Sequence, residues 1–475
     1  MPSPAVALPE RRARRLSGVP RAIQPGQSRR RRMARNPLTW LTAAFFPFCV
    51  FLLWQVYLSY RKTISQSIGN YTEQHGGTRS MPTVYQFNEA LWRCTKLALV
   101  TLLIGVVVFL LLDRLRPTTW VLKAVALFWG GAVAVYFAAN ANDWVASRLT
   151  VDDSDPMGSV RAAIYVAPFV EEAAKASVLF LLAILVRYRI VSVMQSVALA
   201  GFSAVGFAVT EDIVYYIRTY LYGSMVYGQD ANQALHEIYV SRGLQTWWGH
   251  PLFTTFTAIG MAVAIRARSK LVRVLAPVAG FLFAACAHMA FNGSQLAGGS
   301  ESLIFIIGGA LMLMLLFRYV VYIRAEARQI RARLDDFVMT GWLLPRDPVV
   351  YSGFFRRAKL LIAATLRGPR VLIATVCMMR HMTELAYLRA SVTRGVMDDA
   401  ALLRGRELLD DIALLRPRAL YETEGLPVKP ENWTWQNIRG WFGRRWRALP
   451  RPRRRSFAPP TGDSVPAGEP LRWGE

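Results

Sequence analysis

The apolar residues of this chain are gathered into blocks of about twenty, and this spacing restricts the chain to a membrane fold. A bilayer core of roughly 30 Å needs about 20 apolar residues for each helix that crosses it. Blocks of this kind lie near residues 38–60, 96–112, 119–139, 161–186, 192–217, 245–265, 273–292 and 302–323. The sequence therefore predicts an all-α integral membrane protein with about eight transmembrane helices. The first block is too long and too far along the chain for a cleavable signal, so we expect it to remain as a span.

Basic residues in the connections predict the orientation of these helices. The first 37 residues carry ten arginines and one acid, and the connections 113–117, 187–189 and 266–270 are also basic. By the positive-inside rule these segments face the cytoplasm, which places both termini inside. We therefore expect a multi-pass protein of the cell membrane, in a bacterium the cytoplasmic membrane.

A charged triplet interrupts the fourth apolar block. Glu171, Glu172 and Lys175 lie within five residues, and on a helix the lysine is three or four positions from each glutamate. Each charge costs roughly 2.5–3.5 kcal/mol at a helix centre on insertion scales, so the triplet needs a partner or a function. A structural ion pair is one interpretation. However, one lysine cannot neutralise two glutamates, and the spare carboxylate would suit a general base or a metal ligand.

Three later blocks carry polar residues at a similar depth. Glu211 lies about seven residues before the outer end of its block, His250 opens the next block, and His288 and Asn292 share a face near the end of the seventh. Taken singly, each histidine could be a packing residue, Glu211 a helix end and Asn292 a cap. Together, four clusters in the outer half of one membrane protein indicate an aqueous hydrolytic site.

These residues, in this order, resemble a known family. Glu171-Glu172-Ala-Ala-Lys175 matches an EExxK motif, Phe207 to Glu211 an FxxxE motif, and His288 to Asn292 an HxxxN-like motif, with His250 opening the helix between the last two. The set resembles the PrsW family of intramembrane proteases, which is similar to CAAX prenyl endopeptidases and bacteriocin-processing proteins. The resemblance covers roughly residues 160–295. It implies a polytopic helical fold and hydrolysis of a peptide bond in a single-pass membrane protein, such as an anti-sigma factor cut on its outer side.

The resemblance is compatible with two versions of the chemistry. In the first, Glu211, His250 and His288 hold a divalent metal, such as zinc, while Glu171 or Glu172 accepts the proton of water. In the second, a glutamate and His250 activate water without metal, and His288 with Asn292 donates to the oxyanion. The family's metalloprotease label favours the first version. In both, Lys175 holds one glutamate ionised and leaves its neighbour free.

Two other classes of protein remain open. A transporter would also place glutamate, histidine and lysine inside the membrane, as a proton relay. Against it, the sequence contains no internal repeat, and its polar groups lie in one half of the membrane. An inactive scaffold is the third class. No HExxH pair is present, and the four scattered cysteines indicate neither a disulfide framework nor a cysteine metal site.

The composition divides the chain into four segments. We expect a basic disordered cytoplasmic N-terminus over 1–37, the membrane protease core over 38–323, cytoplasmic amphipathic helices over 324–430, and a basic, tryptophan-rich surface segment with a disordered tail over 431–475. The last segment mixes tryptophans 433, 435, 441 and 446 with arginines, a pattern that suits anionic lipid headgroups. Nucleic acid is the weaker candidate partner, because basic ends of membrane proteins are usually topology and lipid signals.

Overall fold

The computed structural model shows a predominantly helical chain. It describes residues 6–7, 22–23, 34, 37–75, 78, 80–113, 118–149, 158–186, 190, 192–228, 230–267, 269–296, 301–393 and 400–420. The described residues divide into two compact units: the first extends to Met312, and the second contains those from Leu313 onward together with Val6–Ala7 and Ala22–Ile23. Two short strands, Val6–Ala7 and Ala22–Ile23, pair in an antiparallel β-ladder. The predicted all-α fold class is confirmed.

The first unit contains the long apolar helices and the motif residues. Its helices are α1 (Pro37–Gln74), α2 (Val84–Leu112), α3 (Trp120–Phe128), α4 (Val135–Leu149), α5 (Gly158–Arg161), α6 (Ala167–Leu185), α7 (Val193–Met225), α8 (Ala231–Ile238), α9 (Gly249–Arg266) and α10 (Lys270–Leu296). Helix α11 (Glu301–Met339) begins in this unit. Three π-helical segments lie between consecutive helices, at Trp129–Ala134, Ala162–Val166 and Tyr239–Gln245.

Seven of the described helices have the length and apolar composition of a membrane span. Six of them coincide with predicted spans, so the protein is a multi-pass membrane protein with close to the expected number of crossings. The other two predicted spans, 161–186 and 245–265, also form helices over most of their length, and α6, in the first of them, carries three charged residues, Glu171, Glu172 and Lys175. The seventh apolar segment, Pro369–Ala390, belongs to the second unit.

Helix α7 is the central helix of the first unit and is buried over most of its length. It contacts α2, α3, α6, α8 and α9, and small residues allow this close packing. Gly206 faces the backbone of Leu127, and Gly130 faces the backbone of Ser203, so a Cβ atom at either glycine would collide with the opposite chain. This approach fixes the depth of α7 relative to its neighbours.

Helices α9 and α10 form the closest antiparallel pair. Gly260 packs on the carbonyl of Ala276, and Gly280 packs on the carbonyl of Phe256, with no room for a side chain at either glycine. Because the helices run in opposite directions, the start of α9 lies beside the end of α10. The two motif histidines are therefore brought to the same level.

Each π-helical segment has a carbonyl group that accepts a hydrogen bond from a side chain on another helix. Thr210 donates to Gly131 O at 2.9 Å, Asn292 donates to Ala163 O at 3.0 Å, and Thr101 donates to Gly243 O at 3.1 Å. A π-helical turn disrupts the regular backbone ladder, and inside a membrane the freed groups need internal partners. These three bonds supply such partners.

The second unit is also helical. It contains most of α11, followed by α12 (Asp347–Ser352), α13 (Phe354–Leu366), α14 (Pro369–Thr393) and α15 (Ala400–Leu415). Within the segment expected to form cytoplasmic amphipathic helices, α14 is long and apolar enough to span over Pro369–Ala390, although Met378, Met382 and Leu385 are fully buried within the protein. The predicted surface segment 431–475 and nearly all of the basic segment 1–37 lie outside the described residues.

Candidate active site

Four helices of the first unit bring the motif residues into one cluster, which we call the charged cluster. Its members are Glu171, Glu172 and Lys175 on α6, Glu211 and Asp212 on α7, Arg242 from the π-helical segment before α9, His250 at the start of α9, and His288 near the end of α10. Six of the seven predicted site residues belong to it. The seventh, Asn292, lies one turn beyond His288 and donates to the π-helical carbonyl of Ala163 instead.

Lys175 lies at the centre of the cluster and is fully buried. Its Nζ atom is 2.7 Å from Glu172 Oε1, 3.5 Å from Glu171 Oε2 and 2.9 Å from His250 Nδ1. The ammonium also lies 4.4 Å from the centre of the Phe207 ring, a favourable cation–π position. Lys175 thus contacts both glutamates, as the sequence predicts, but it is closer to Glu172.

Glu172 has partners at both oxygens. Oε1 accepts from Lys175 and lies 3.2 Å from His288 Nδ1, and Oε2 accepts the hydroxyl of Thr254 at 2.8 Å. Thr254 is absent from the predicted site, although it lies one helical turn after His250 and therefore on the same face. These contacts hold the Glu172 carboxylate in one orientation.

Glu171 differs from its neighbour. Its Oε2 atom is buried and has no hydrogen-bond partner within the described part of the chain. The same oxygen lies 3.9 Å from His288 Nε2 and 3.5 Å from Lys175 Nζ. A buried carboxylate oxygen without a hydrogen bond is costly, so its retention calls for a ligand or a reaction to explain it.

His250 uses both ring nitrogens. Nδ1 faces Lys175 Nζ, and Nε2 is 2.7 Å from Glu211 Oε2. An ammonium group only donates hydrogen bonds, so Nδ1 must accept and the ring proton belongs on Nε2. The imidazole therefore donates to Glu211 and presents its lone pair towards the centre of the cluster.

His288 shows the same arrangement with the ring reversed. Its Nδ1 donates to the Glu172 carboxylate at 3.2 Å, so in the neutral ring Nε2 carries the lone pair, 3.9 Å from Glu171 Oε2. The ring is stacked on Phe253 with 5.0 Å between centroids, and it meets the His250 ring edge to face at the same separation. Packing thus fixes the direction of this imidazole as well.

Arg242 is a site residue that the sequence reasoning missed. Its Nη2 atom is 3.1 Å from Glu211 Oε2, its Nε atom is 3.2 Å from Asp212 Oδ1, and its guanidinium lies 3.9 Å from the centre of the Tyr215 ring. With 29% of its side chain exposed, Arg242 is the most accessible member of the charged cluster. No sequence signal identifies it, because it is a lone arginine in a connection and its partners lie 30 residues earlier.

The cluster has a donor set and a charge that fit a divalent metal ion. Ligand atoms of Glu171, His250 and His288 all lie within 4.8 Å of one another, and the Lys175 ammonium donates to the lone pair of His250 Nδ1. Four carboxylates share one ammonium and one guanidinium, so the formal charge is −2 with neutral histidines. Glu171, whose Oε2 has no hydrogen-bond partner among the described residues, belongs to this group. Glu211, the carboxylate predicted as a ligand, contacts the opposite edge of His250.

Comparison with known proteins agrees with the resemblance seen in the motifs. Residues 116–323 match the PrsW-protease family model, described as PrsW family intramembrane metalloprotease. The matched segment contains every member of the charged cluster. Neither a curated protein nor a solved structure matches the chain.

Proposed function

Because residues 116–323 match the model of the PrsW family of intramembrane metalloproteases, we propose that the charged cluster hydrolyses a peptide bond of a membrane-anchored protein with a bound divalent metal, zinc being the first candidate. The observation that carries this proposal is the buried Oε2 of Glu171, which has no hydrogen-bond partner among the described residues, together with ligand atoms of Glu171, His250 and His288 within 4.8 Å of one another. A carboxylate with two histidines is a donor set typical of catalytic zinc sites.

We assign Glu171, His250 and His288 as the metal ligands. Metal-binding histidines usually donate their second ring N–H to a carboxylate, which fixes the ring and its tautomer. Both histidines here have such a carboxylate, Glu211 for His250 and Glu172 for His288. This makes Glu211 a supporting partner rather than a ligand, in contrast to the set expected from the sequence.

When bound, the metal would polarise the scissile carbonyl and activate water as a nucleophile near neutral pH. Glu172 is the remaining carboxylate at the centre and has a free lone pair at Oε2, which accepts only Thr254. We assign Glu172 as the general base, whose Oε2 atom accepts a proton from the attacking water. Lys175 Nζ, 2.7 Å from Glu172 Oε1, can donate a proton to the leaving amine and recover one from Glu172.

The proposed substrate is a single-pass membrane protein cut near the outer surface. The loop charges predict that the cluster lies in the outer half of the membrane, and Arg242 is its most exposed member. A membrane-anchored regulator of the anti-sigma-factor type, in a bacterial cytoplasmic membrane, follows from the family resemblance. Lipid partners of the basic tail remain a sequence-based proposal.

The alternative function is that of a transporter, because the hydrogen-bonded side chains from Arg242 to His288 could relay protons. However, the chain does not continue along α6 beyond Lys175. The buried side chains of that helix beyond Lys175 are apolar and cannot pass a proton: Ala176, Val178, Leu179 and Leu182. This arrangement favours the hydrolase.

The test is co-expression of the full-length protein with tagged single-pass membrane proteins, followed by detection of a defined fragment. We expect Glu171→Gln, His250→Ala and His288→Ala to lose both the fragment and about one bound metal per chain. Glu172→Gln should lose the fragment but keep the metal. Glu89→Gln, on the exposed side of α2, is the matched control and should change neither. Cleavage that survives both Glu171→Gln and Glu172→Gln would refute the mechanism.

A further inference from the structure

The guanidinium group of Arg242 contacts two carboxylates at once. One end, Nε, meets the buried carboxylate of Asp212, and the other, Nη2, meets Glu211 Oε2. The plane of the guanidinium lies against Tyr215. A lysine has a single ammonium on a flexible stem and cannot reproduce this bidentate, stacked arrangement. Arg242 thus fixes the orientation of Glu211 rather than only its charge.

Glu211 Oε2 is shared between Arg242 and the Nε2–H of His250. This sharing keeps the carboxylate at the outer edge of the imidazole, whereas the nitrogen with the lone pair is on the opposite side of the ring. Without Arg242, an ionised Glu211 would lose its main cation in a region of low dielectric. A metal held by Glu171, His250 and His288 would then be an attractive new partner for it.

We propose that Arg242 is a positioning residue that retains Glu211 beside His250 and so keeps this carboxylate out of the metal's ligand set. This inference rests on the proposed function. Its consequence follows from zinc chemistry: sites with four protein ligands are closed and structural, whereas catalytic sites have three protein ligands and one free position. Arg242 therefore preserves the free position.

The direction in which Arg242→Gln changes metal affinity distinguishes this positioning role from a merely structural one. If Arg242 only stiffened the site, Arg242→Gln would weaken metal binding by about 10- to 100-fold, as loss of an outer-shell partner usually does. If Arg242 restrains Glu211, the same change adds a fourth ligand and removes a nearby positive charge. Metal binding then stays as tight or becomes tighter, while the free position is lost.

The experiment uses the purified full-length protein in detergent, loaded with Co²⁺, whose visible spectrum reports its coordination. Imidazole, uncharged at mildly alkaline pH, is titrated as a probe of the free position, so a change in local charge has little direct effect. We expect wild type to bind imidazole and Arg242→Gln to bind it about tenfold or more weakly, with Co²⁺ affinity undiminished. The double variant Arg242→Gln/Glu211→Gln should recover imidazole binding, because glutamine is a poor ligand.

Arg218→Gln is the matched control. Arg218 is also an arginine placed over a tyrosine ring, that of Tyr222, on the same helix as Glu211, and the variant should behave as wild type. Unchanged imidazole binding in Arg242→Gln, or weaker Co²⁺ binding, would overturn the inference while leaving the proposed function intact. A wild type that binds no Co²⁺ would overturn both.

Discussion

Charged side chains are buried in several places in the described part of this protein, and two of these places differ in how the charges are matched. In the second unit, Asp347 is fully buried and meets Arg416 through two short contacts of 3.0 and 2.6 Å, while the amide of Leu344 donates to the same carboxylate at 2.9 Å. One acid is matched to one guanidinium. In the charged cluster of the first unit, four carboxylates share two cations, and Glu171 Oε2 has no hydrogen bond but lies 3.5 Å from the shared Lys175 ammonium. Matched burial holds a fold together, whereas surplus acid leaves a group available for chemistry.

The largest effect is expected where the surplus acid is removed. Glu171→Gln should lower the cleavage rate by roughly 10²–10⁴-fold and abolish metal binding, because a neutral amide is a weak ligand. Asp347→Asn removes an equally buried carboxylate and should leave the cleavage rate within about twofold. The measurement is fragment formation at matched expression. An equal loss of cleavage in Glu171→Gln and Asp347→Asn would show that the two regions do not differ in function.

Removal of the metal should reproduce the loss of activity without any substitution. A chelator should stop cleavage, and one equivalent of Zn²⁺ or Co²⁺ should restore it. Bound metal should also stabilise the first unit, by about 2.7 kcal/mol at a free concentration 100 times the dissociation constant. Thermal unfolding of wild type and Glu171→Gln with and without metal measures this. A metal-dependent shift that persists in Glu171→Gln would show that the ion binds elsewhere.

Breaking the matched pair should affect stability instead. Asp347→Asn weakens two charged hydrogen bonds to Arg416, at an expected cost of about 1.5–3 kcal/mol in the free energy of local opening. Amide hydrogen exchange in α12 and α15 of the full-length protein measures it. Replacing both partners by apolar residues, Asp347→Leu with Arg416→Met, should cost less than the single change. The opposite order would mean that the pair is more than a structural contact.

The smallest effect is expected at Thr254, which is not a member of the charged cluster but donates a hydrogen bond to Glu172. Thr254→Val preserves the shape of the side chain but removes one hydrogen bond to Glu172, worth about 1–1.5 kcal/mol. The cleavage rate should fall about tenfold, with metal content unchanged. Thr255→Val is the matched control, because Thr255 donates only to the preceding turn of its own helix, at Pro251 O. A parallel fall in both variants would attribute the effect to α9 itself.

The fold was largely predictable because a bilayer imposes a simple rule on span length. Six predicted spans coincide with apolar helices, and the other two form helices that carry motif residues. The limits of that rule appear in the second unit. There, within the segment expected to form cytoplasmic amphipathic helices, α14 includes residues such as Met382 and Leu385, whose burial depends on neighbours that local composition does not reveal.

The site was predictable by residue type and order, but not by direction. Motif spacing on the helices selected the two glutamates, the lysine and the two histidines. Which carboxylate faces the imidazole lone pairs depends on rotations of α6 and α7 that a sequence does not contain, so Glu211 was expected where the structure offers Glu171. Arg242 was missed because its partners are distant in sequence and its backbone is π-helical rather than regular.

The π-helical segment Ala162–Val166 lies directly before the helix that carries Glu171 and Glu172. A π-helical turn is equivalent to one residue inserted into a regular helix. Deleting a single residue there would let the helix close into a regular turn and would rotate everything beyond it by about 100° relative to what precedes it. The number of residues in this segment therefore determines the direction in which both glutamate side chains point. A one-residue deletion should be more harmful here than most substitutions of the same apolar residues.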